Sequence, residues 1–298
     1  MIKQILHRVN KDFGITFFKN PNNLYYNIFN HYLRKNIVSV TTDMENFHKE
    51  GFFKNNFNIS SELDGLCDLM NSQNPQRNEK NIFLYTLNHE IRSEVKKILI
   101  NNFSPIIEEF KKYFRQNINV IDVQIKRNYS LENIELQNKS KQVEFFNNFF
   151  HCDHYIGTYF KLFINLHDVG NEHGPLEAFS IENTKRFVKE THYKSRHQYS
   201  DSKSDYMFKN TGKKGDSLFC STPLCLHRAS VPEKGLFRDM LFITFAASNK
   251  NQTNDLFGFE KDFEKSIWSH ENTLRNKLCK PVGARKTFKV FKNIKVNN

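Results

Sequence analysis

Three side chains with metal-ligating chemistry, set on two remote fragments, constrain this chain more than any other feature. His151-Cys152-Asp153 places an imidazole and a carboxylate two residues apart. On an extended strand such a pair shares one side, because side chains alternate faces with period two. Leu226-His227 follows much later, and Arg238 comes eleven residues after that histidine. A fold that sets His227 on a strand across from the pair gathers two nitrogens and one oxygen. That donor set covers one face of an octahedral Fe(II) and leaves the opposite face open. A guanidinium grips a carboxylate through two parallel hydrogen bonds, so Arg238 suits the far carboxylate of a keto-acid cosubstrate.

Each of these residues also has a plain structural use. His151 and His227 can be satisfied interior histidines, and Asp153 a turn cap. Arg238 heads the apolar run Met240-Leu241-Phe242-Ile243-Thr244-Phe245, where an unpaired guanidinium is costly, so an anionic partner is expected. That partner is either a cosubstrate carboxylate or an internal one, Glu177 or the neighbourhood of Asp239. His154 points away from the ligand pair, and His167 and His173 flank a turn without a partner at matching spacing. Cys152 and Cys225 lie close to the ligands, but with no second cysteine pair they read as buried thiols rather than a Cys/His zinc site.

The 298 residues have room for one large domain with additions. The formal charge of +12 invites an anionic partner, although lysine spread over solvated faces explains it as well. Five cysteines form neither a disulfide framework nor a CxxC pair, which fits a reducing cytoplasm. No stretch approaches a membrane span, and the apolar run after Met1 is too short for a secretory signal.

Periodicity divides the chain. Residues 1–40 form an N-terminal extension. Met44 to Phe53 reads as a short helix stopped by Gly51. Asn88 to Phe114 has helical spacing, with a break expected at Pro105. Strands are expected from about 118 to Tyr129, in the Phe-rich 145–151 segment, from Tyr159 to Leu166, at Leu218-Phe219 and from Phe237 to Phe245. The polar 189–214 segment reads as a lid-like insertion. Residues 251–298 form a C-terminal extension, with a helix-like patch near Phe263–Trp268 and an alternating end from Phe288 to Val296. The fold class is α+β with a mainly β core, and residues 41–250 make the principal domain.

His151-Cys152-Asp153, Gly174-Pro175-Leu176-Glu177-Ala178-Phe179-Ser180 ending in Thr184-Lys185, Gly215-Asp216, His227 and Arg238 together resemble the phytanoyl-CoA hydroxylase-like family. Phe47-His48-Lys49-Glu50-Gly51-Phe52-Phe53 is similar to that family's opening helix and strand, so the resemblance spans about residues 43–248. It implies a double-stranded β-helix (a jelly roll, cupin-like) flanked by N-terminal helices. It implies an Fe(II)- and 2-oxoglutarate-dependent dioxygenase, using O2 and releasing succinate and CO2. His151, Asp153 and His227 would be the iron ligands and Arg238 the cosubstrate clamp. Gln124-x-x-x-Asn128-Tyr129 is similar to a strand of the ectoine hydroxylase branch whose polar side chains reach the cosubstrate. Asp153 fills the position that is small in related halogenases, which implies hydroxylation over chlorination. Two departures stand out: Ser180-Ile181-Glu182-Asn183-Thr184-Lys185 replaces a Pro-Gly-Ser-His-Lys segment, and Ala229 replaces a serine. Both concern contacts around the site and leave its three ligands in place.

The expected substrate is a small molecule, and the positive charge leaves room for an anionic one, with Arg186, Lys194, Arg196 and His197 as candidate contacts. A cupin-like metal protein without turnover is the rival from another class, and Arg238 argues against it. A macromolecular substrate is a third reading. Against nucleic acid, the strand after Arg238 lacks the second arginine usual in repair members of the wider oxygenase group.

Overall fold

The computed structural model describes residues 41–248 apart from positions 56, 58, 116, 140–143, 154–158 and 192–204. The expectations for residues 1–40, for His154, for most of the 189–214 insertion and for the C-terminal extension fall outside these residues.

Helix α1 (Thr42–Glu50) opens with Thr41 Oγ1 accepting from Met44 N and closes on Gly51, whose φ of 85° only glycine adopts without strain. Strand β1 (Phe52–Asn55) follows, then α2 (Asp64–Asn71), β2 (Ile82–Leu84) and α3 (His89–Ile98). Asn88 caps α3 through its side-chain oxygen. The expected break at Pro105 takes a different form. A π-helical turn, Leu99–Phe103, joins α3 to α4 (Ser104–Phe114), and Pro105 lies in the first turn of α4. Proline brings no N–H to the preceding carbonyls. Side chains supply donors there instead: Ser104 Oγ to Ile100 O at 2.6 Å and Asn102 Nδ2 to Ile98 O at 3.1 Å.

The remaining elements are β3 (Asn117–Tyr129), α5 (Ile134–Lys139), β4 (Tyr159–Asn165), β5 (Leu176–Ala178), α6 (Ile181–Thr191), β6 (Phe208–Lys209), β7 (Ser217–Cys220), β8 (His227–Ala229) and β9 (Phe237–Ser248). They form an antiparallel six-stranded sheet, β1-β7-β4-β9-β3-β2, and a three-stranded sheet, β6-β5-β8. No helix among the described residues is long and apolar enough to cross a membrane.

Period two explains why the central strands are apolar on both faces. Phe160, Leu162 and Ile164 of β4, Phe219 of β7 and Leu241, Ile243 and Phe245 of β9 pack under the helices. Their alternates Phe163, Leu218, Cys220 and Met240 pack with Leu176 of the smaller sheet. The helical side is aromatic: Phe110 stacks on Phe160 with ring centroids 4.1 Å apart, and Phe47 meets Phe110 edge-on at 5.0 Å. A register shift between Val120 and Asp122 changes the phase of β3. Before it, Ile118 and Val120 face the helices; after it, Val123 and Ile125 do. The bulge thereby turns Asp122, Gln124, Lys126 and Asn128 to the opposite face.

Two expectations are corrected. The Phe-rich 145–151 segment is not a strand; Phe146 and Asn147 take positive φ values of 33° and 64°, and the chain pairs only at His151. The phenylalanines bury one at a time in a winding segment, Phe149 and Phe150 completely. The start of the 189–214 insertion belongs to α6, whose inward positions Ile181, Thr184, Phe187 and Val188 carry helical spacing, and β6 lies within its later part.

Gly51 links this framework to the region around His227. A Cβ there would lie 2.4 Å from Cys225 Sγ and 2.8 Å from Ile181 Cγ1, and Gly51 O accepts from Ser221 N at 2.7 Å. Gly51→Ala is therefore expected to cost at least about 1–2 kcal/mol from the left-handed backbone alone. A thermal melt reads this as a drop of several degrees in Tm, and an unchanged Tm contradicts the packing described.

Candidate metal centre

His151 and His227 meet through their backbones. His151 N donates to His227 O at 3.0 Å and His227 N to His151 O at 2.9 Å, so the two residues form one antiparallel bridge. On its other side His227 pairs with Ala178 of β5. Leu226 N donates to the buried Thr184 Oγ1 at 3.0 Å, so the start of α6 steadies the backbone just before the histidine. Asp153 N donates to Thr222 O at 3.0 Å, which anchors the carboxylate to the loop before β8.

Both imidazoles are oriented in the same way. His151 Nδ1 lies 2.7 Å from Phe149 O, and His227 Nδ1 lies 3.0 Å from Cys225 O, each a carbonyl two residues back. A carbonyl can only accept, so each Nδ1 donates, and in the neutral ring Nε2 then carries the lone pair. Those two Nε2 atoms stand 3.7 and 3.8 Å from the same Asp153 Oδ1. These spacings are too long for hydrogen bonds, and the three donor atoms lie within 4.8 Å of one another. This is the group of His, Cys, Asp and Glu side chains among the described residues that is arranged to hold a cation. Two neutral imidazoles and one carboxylate are the donor set of a non-heme Fe(II) facial site.

The second carboxylate oxygen is held from behind, with Lys161 Nζ 2.6 Å from Asp153 Oδ2. Burial alone would raise the Asp153 carboxyl; the Lys161 ammonium, joined by the two imidazoles when they are protonated, outweighs it and holds the group well below the usual carboxylate range. Asp153 is thus an anion at neutral pH, as a ligand must be. Burial, and then the charge of Asp153, push the Cys152 thiol upward, so it stays protonated and is a poor ligand. Cys225 Sγ points to Glu50 O at 3.6 Å. Of the two histidines that flank the turn, each has a ring nitrogen engaged: His167 Nε2 accepts from Asp239 N at 3.0 Å and His173 Nδ1 from Gly170 N at 3.1 Å.

Beside the ligands is a cavity of about 170 Å³, lined by His151, Asp153, His227, Arg238 and the polar face of β3, with Phe163, Leu176 and Phe242 as apolar walls. Arg238 is 1% exposed, and its Nε and Nη1 have no hydrogen-bond partner among the described residues. The internal carboxylates that could have satisfied it are engaged elsewhere. Glu177 Oε2 accepts from Arg228 Nε at 2.6 Å, and Asp239 takes both Nε and Nη2 of Arg127, at 2.8 and 2.6 Å. Desolvation pushes the Arg238 guanidinium down to about 10, against the distant pull of Glu177. A buried cation with two unanswered donors at a cavity wall is a site for an anion.

Gln124 and Asn128 both line the same cavity, as their spacing predicts. Gln124 Nε2 donates to Asp122 Oδ2 at 2.9 Å, and Asn128 Oδ1 is buried with no hydrogen-bond partner among the described residues. Arg186 does not approach the centre; it pairs with Glu190 at 2.7 Å on an exposed helix face. Lys194, Arg196 and His197 fall outside the described residues. Sequence reasoning missed Asp122, Lys126 and Lys161 at the cavity. The signals were present: Asp122-x-Gln124-x-Lys126-x-Asn128 alternates without interruption, and Lys161 is the one charge in Tyr159–Leu166.

No protein-family model matches the chain, and no curated protein matches it. Solved structures resemble its fold. One is HygX from Streptomyces hygroscopicus with nickel, 2-oxoglutarate and hygromycin B bound, 12% identical, TM-score 0.47, covering 74% of this chain and 95% of that one. EctD from S. alaskensis, with 2-oxoglutarate and 5-hydroxyectoine, is 9% identical, TM-score 0.48, covering 74% of this chain and 83% of that one. The non-heme alpha-ketoglutarate-dependent epimerase SnoN from nogalamycin biosynthesis is 11% identical, TM-score 0.46, covering 69% and 81%.

Burial, and then the charges of Lys161 and Arg238, push the Lys126 ammonium down to about 8. A lysine whose folded value lies below its unfolded one destabilises the fold while both states are protonated. The penalty fades as the pH rises from about 8 towards 10.5. Lys126→Met is therefore expected to be more stable than the parent at pH 7, by on the order of 1–3 kcal/mol, with the gap closing by pH 10. Denaturant melts across that range check it, and a variant less stable at pH 7 contradicts it.

Proposed function

We propose that this protein is an Fe(II)- and 2-oxoglutarate-dependent dioxygenase that hydroxylates a small molecule. The observation that carries the reading is Arg238, a buried guanidinium with no carboxylate partner among the described residues, in the same cavity as two oriented imidazoles and an ionised aspartate. A metal site alone would fit many proteins. A metal site with an unanswered arginine beside it fits a keto acid bound at both ends. The two sheets, facing each other across this cavity, are read as the jelly roll that such chemistry uses.

In this reading His151, Asp153 and His227 hold the iron, and the resemblance to the phytanoyl-CoA hydroxylase-like family assigns them the same role. Iron with 2-oxoglutarate and O2 supplies an oxidative decarboxylation to succinate and CO2, coupled to insertion of one oxygen atom into a C–H bond. The chain's own residues do the rest. The carbonyls of Phe149 and Cys225 keep both Nδ1 protons, so each Nε2 faces the cation without a proton to lose. Lys161 holds Asp153 Oδ2 and leaves Oδ1 for the metal. Arg238 takes the distal carboxylate of the cosubstrate, and Gln124 and Asn128 offer polar contacts along its length. Phe163, Leu176 and Phe242 keep that side of the cavity free of water.

Aerobic incubation with iron, ascorbate, 2-oxoglutarate and a panel of metabolites tests the reading. The parent protein is expected to form succinate, and His151→Ala and Asp153→Ala none. Arg238→Met should still bind metal but lose roughly 30-fold or more in 2-oxoglutarate affinity by calorimetry, the usual scale for a buried charge pair. Unchanged turnover in either ligand variant contradicts the assignment.

A further inference from the structure

The cavity holds one cation more than the proposed reaction uses. Its charged lining is Asp122, Lys126, Asp153, Lys161 and Arg238, three cations against two carboxylates. A divalent metal and a doubly ionised cosubstrate cancel each other and leave that surplus in place. Lys161 is committed to Asp153 at 2.6 Å, and the proposed cosubstrate answers Arg238.

Lys126 remains. It sits on the polar face of β3, opposite Met240, with its ammonium 5.3 Å from the centre of the Phe242 ring. It makes no ion pair among the described residues. The largest charge effects on it are repulsive, from Lys161 and Arg238, and outweigh the attraction of Asp122 and Asp153. Holding a third, partly buried cation beside two others costs stability, and no ion pair among the described residues offsets it. Relief comes when an anion enters the cavity, and the cosubstrate's two carboxylates already have their own partners.

Resting on the proposed dioxygenase reading and deepening it, we propose that Lys126 anchors an oxyanion group, carboxylate or phosphate, on the primary substrate. The substrate class is then an anionic small molecule, docked with its charged end on β3 and a C–H bond turned towards the metal ligands. The Phe242 ring beside the ammonium supplies an apolar surface for the carbon skeleton.

Calorimetry on Ni(II)-loaded protein saturated with 2-oxoglutarate tests this without turnover, with inorganic phosphate and propionate as separate probes. One of the two is expected to bind at one per chain, and the preferred probe identifies the substrate's charged group. Lys126→Met should weaken that binding by about tenfold or more, the scale of one charge-assisted contact, and leave 2-oxoglutarate affinity within about threefold. Lys126→Arg should restore most of the probe affinity. The proposal is overturned if neither probe binds, if Lys126→Met binds the probe as well as the parent, or if it loses 2-oxoglutarate as severely as Arg238→Met. Failure of the parent to bind 2-oxoglutarate would instead sink the dioxygenase reading. The same titration without cosubstrate then judges Lys126 by itself: Lys126-dependent probe binding upholds the anion site, and its absence removes it.

Discussion

The bridge between His151 and His227 is the contact on which the rest of the site depends. Two reciprocal backbone hydrogen bonds bring together residues far apart in sequence. In each, the carbonyl two residues earlier accepts a hydrogen bond from Nδ1–H. Ring position and tautomer are therefore set by main chain, whose geometry the surrounding sheet over-determines. Asp153, two residues on, is held by its own backbone bond to Thr222 and by Lys161. A donor set fixed this way meets a cation without first paying to organise itself.

The second constraint is electrostatic. The six-stranded sheet sends apolar side chains to the helices on one face and, from β3, β4 and β9, polar and charged ones to the cavity on the other. The bulge at Val120–Asp122 matters here, because the strand's phase decides which set goes where. Without it, Gln124, Lys126 and Asn128 would point into the aromatic layer around Phe110 and Phe160. With it, one patch of sheet presents Lys126, Lys161 and Arg238 together. Such a concentration of positive charge, Arg238 buried and the two lysines partly so, is unfavourable for the empty fold and favourable for binding anions, a trade typical of functional sites.

Much of this was legible in the sequence because the chemistry is local. His151 and Asp153 sit at a spacing that period two interprets directly, Gln124 and Asn128 share a face for the same reason, and Gly51 ends its helix as expected. What failed depended on context. The Phe-rich 145–151 segment looks like a strand by composition, yet Phe146 and Asn147 turn the backbone left-handed and its rings are buried singly. The helix after Ser180 was hidden in a stretch read only against a family segment. Lys126 and Lys161 were overlooked because a lysine in a strand is usually solvated, and only the pairing of β3, β4 and β9 shows that these two face inward.

X-ray absorption at the iron edge of the anaerobic, Fe(II)-loaded protein tests the central claim most directly. The account predicts a shell of nitrogen and oxygen only, at about 2.0–2.2 Å, with the outer-shell scattering of two imidazoles that drops to one in His227→Ala. A sulfur shell at about 2.3 Å, or imidazole scattering unchanged in that variant, would contradict it.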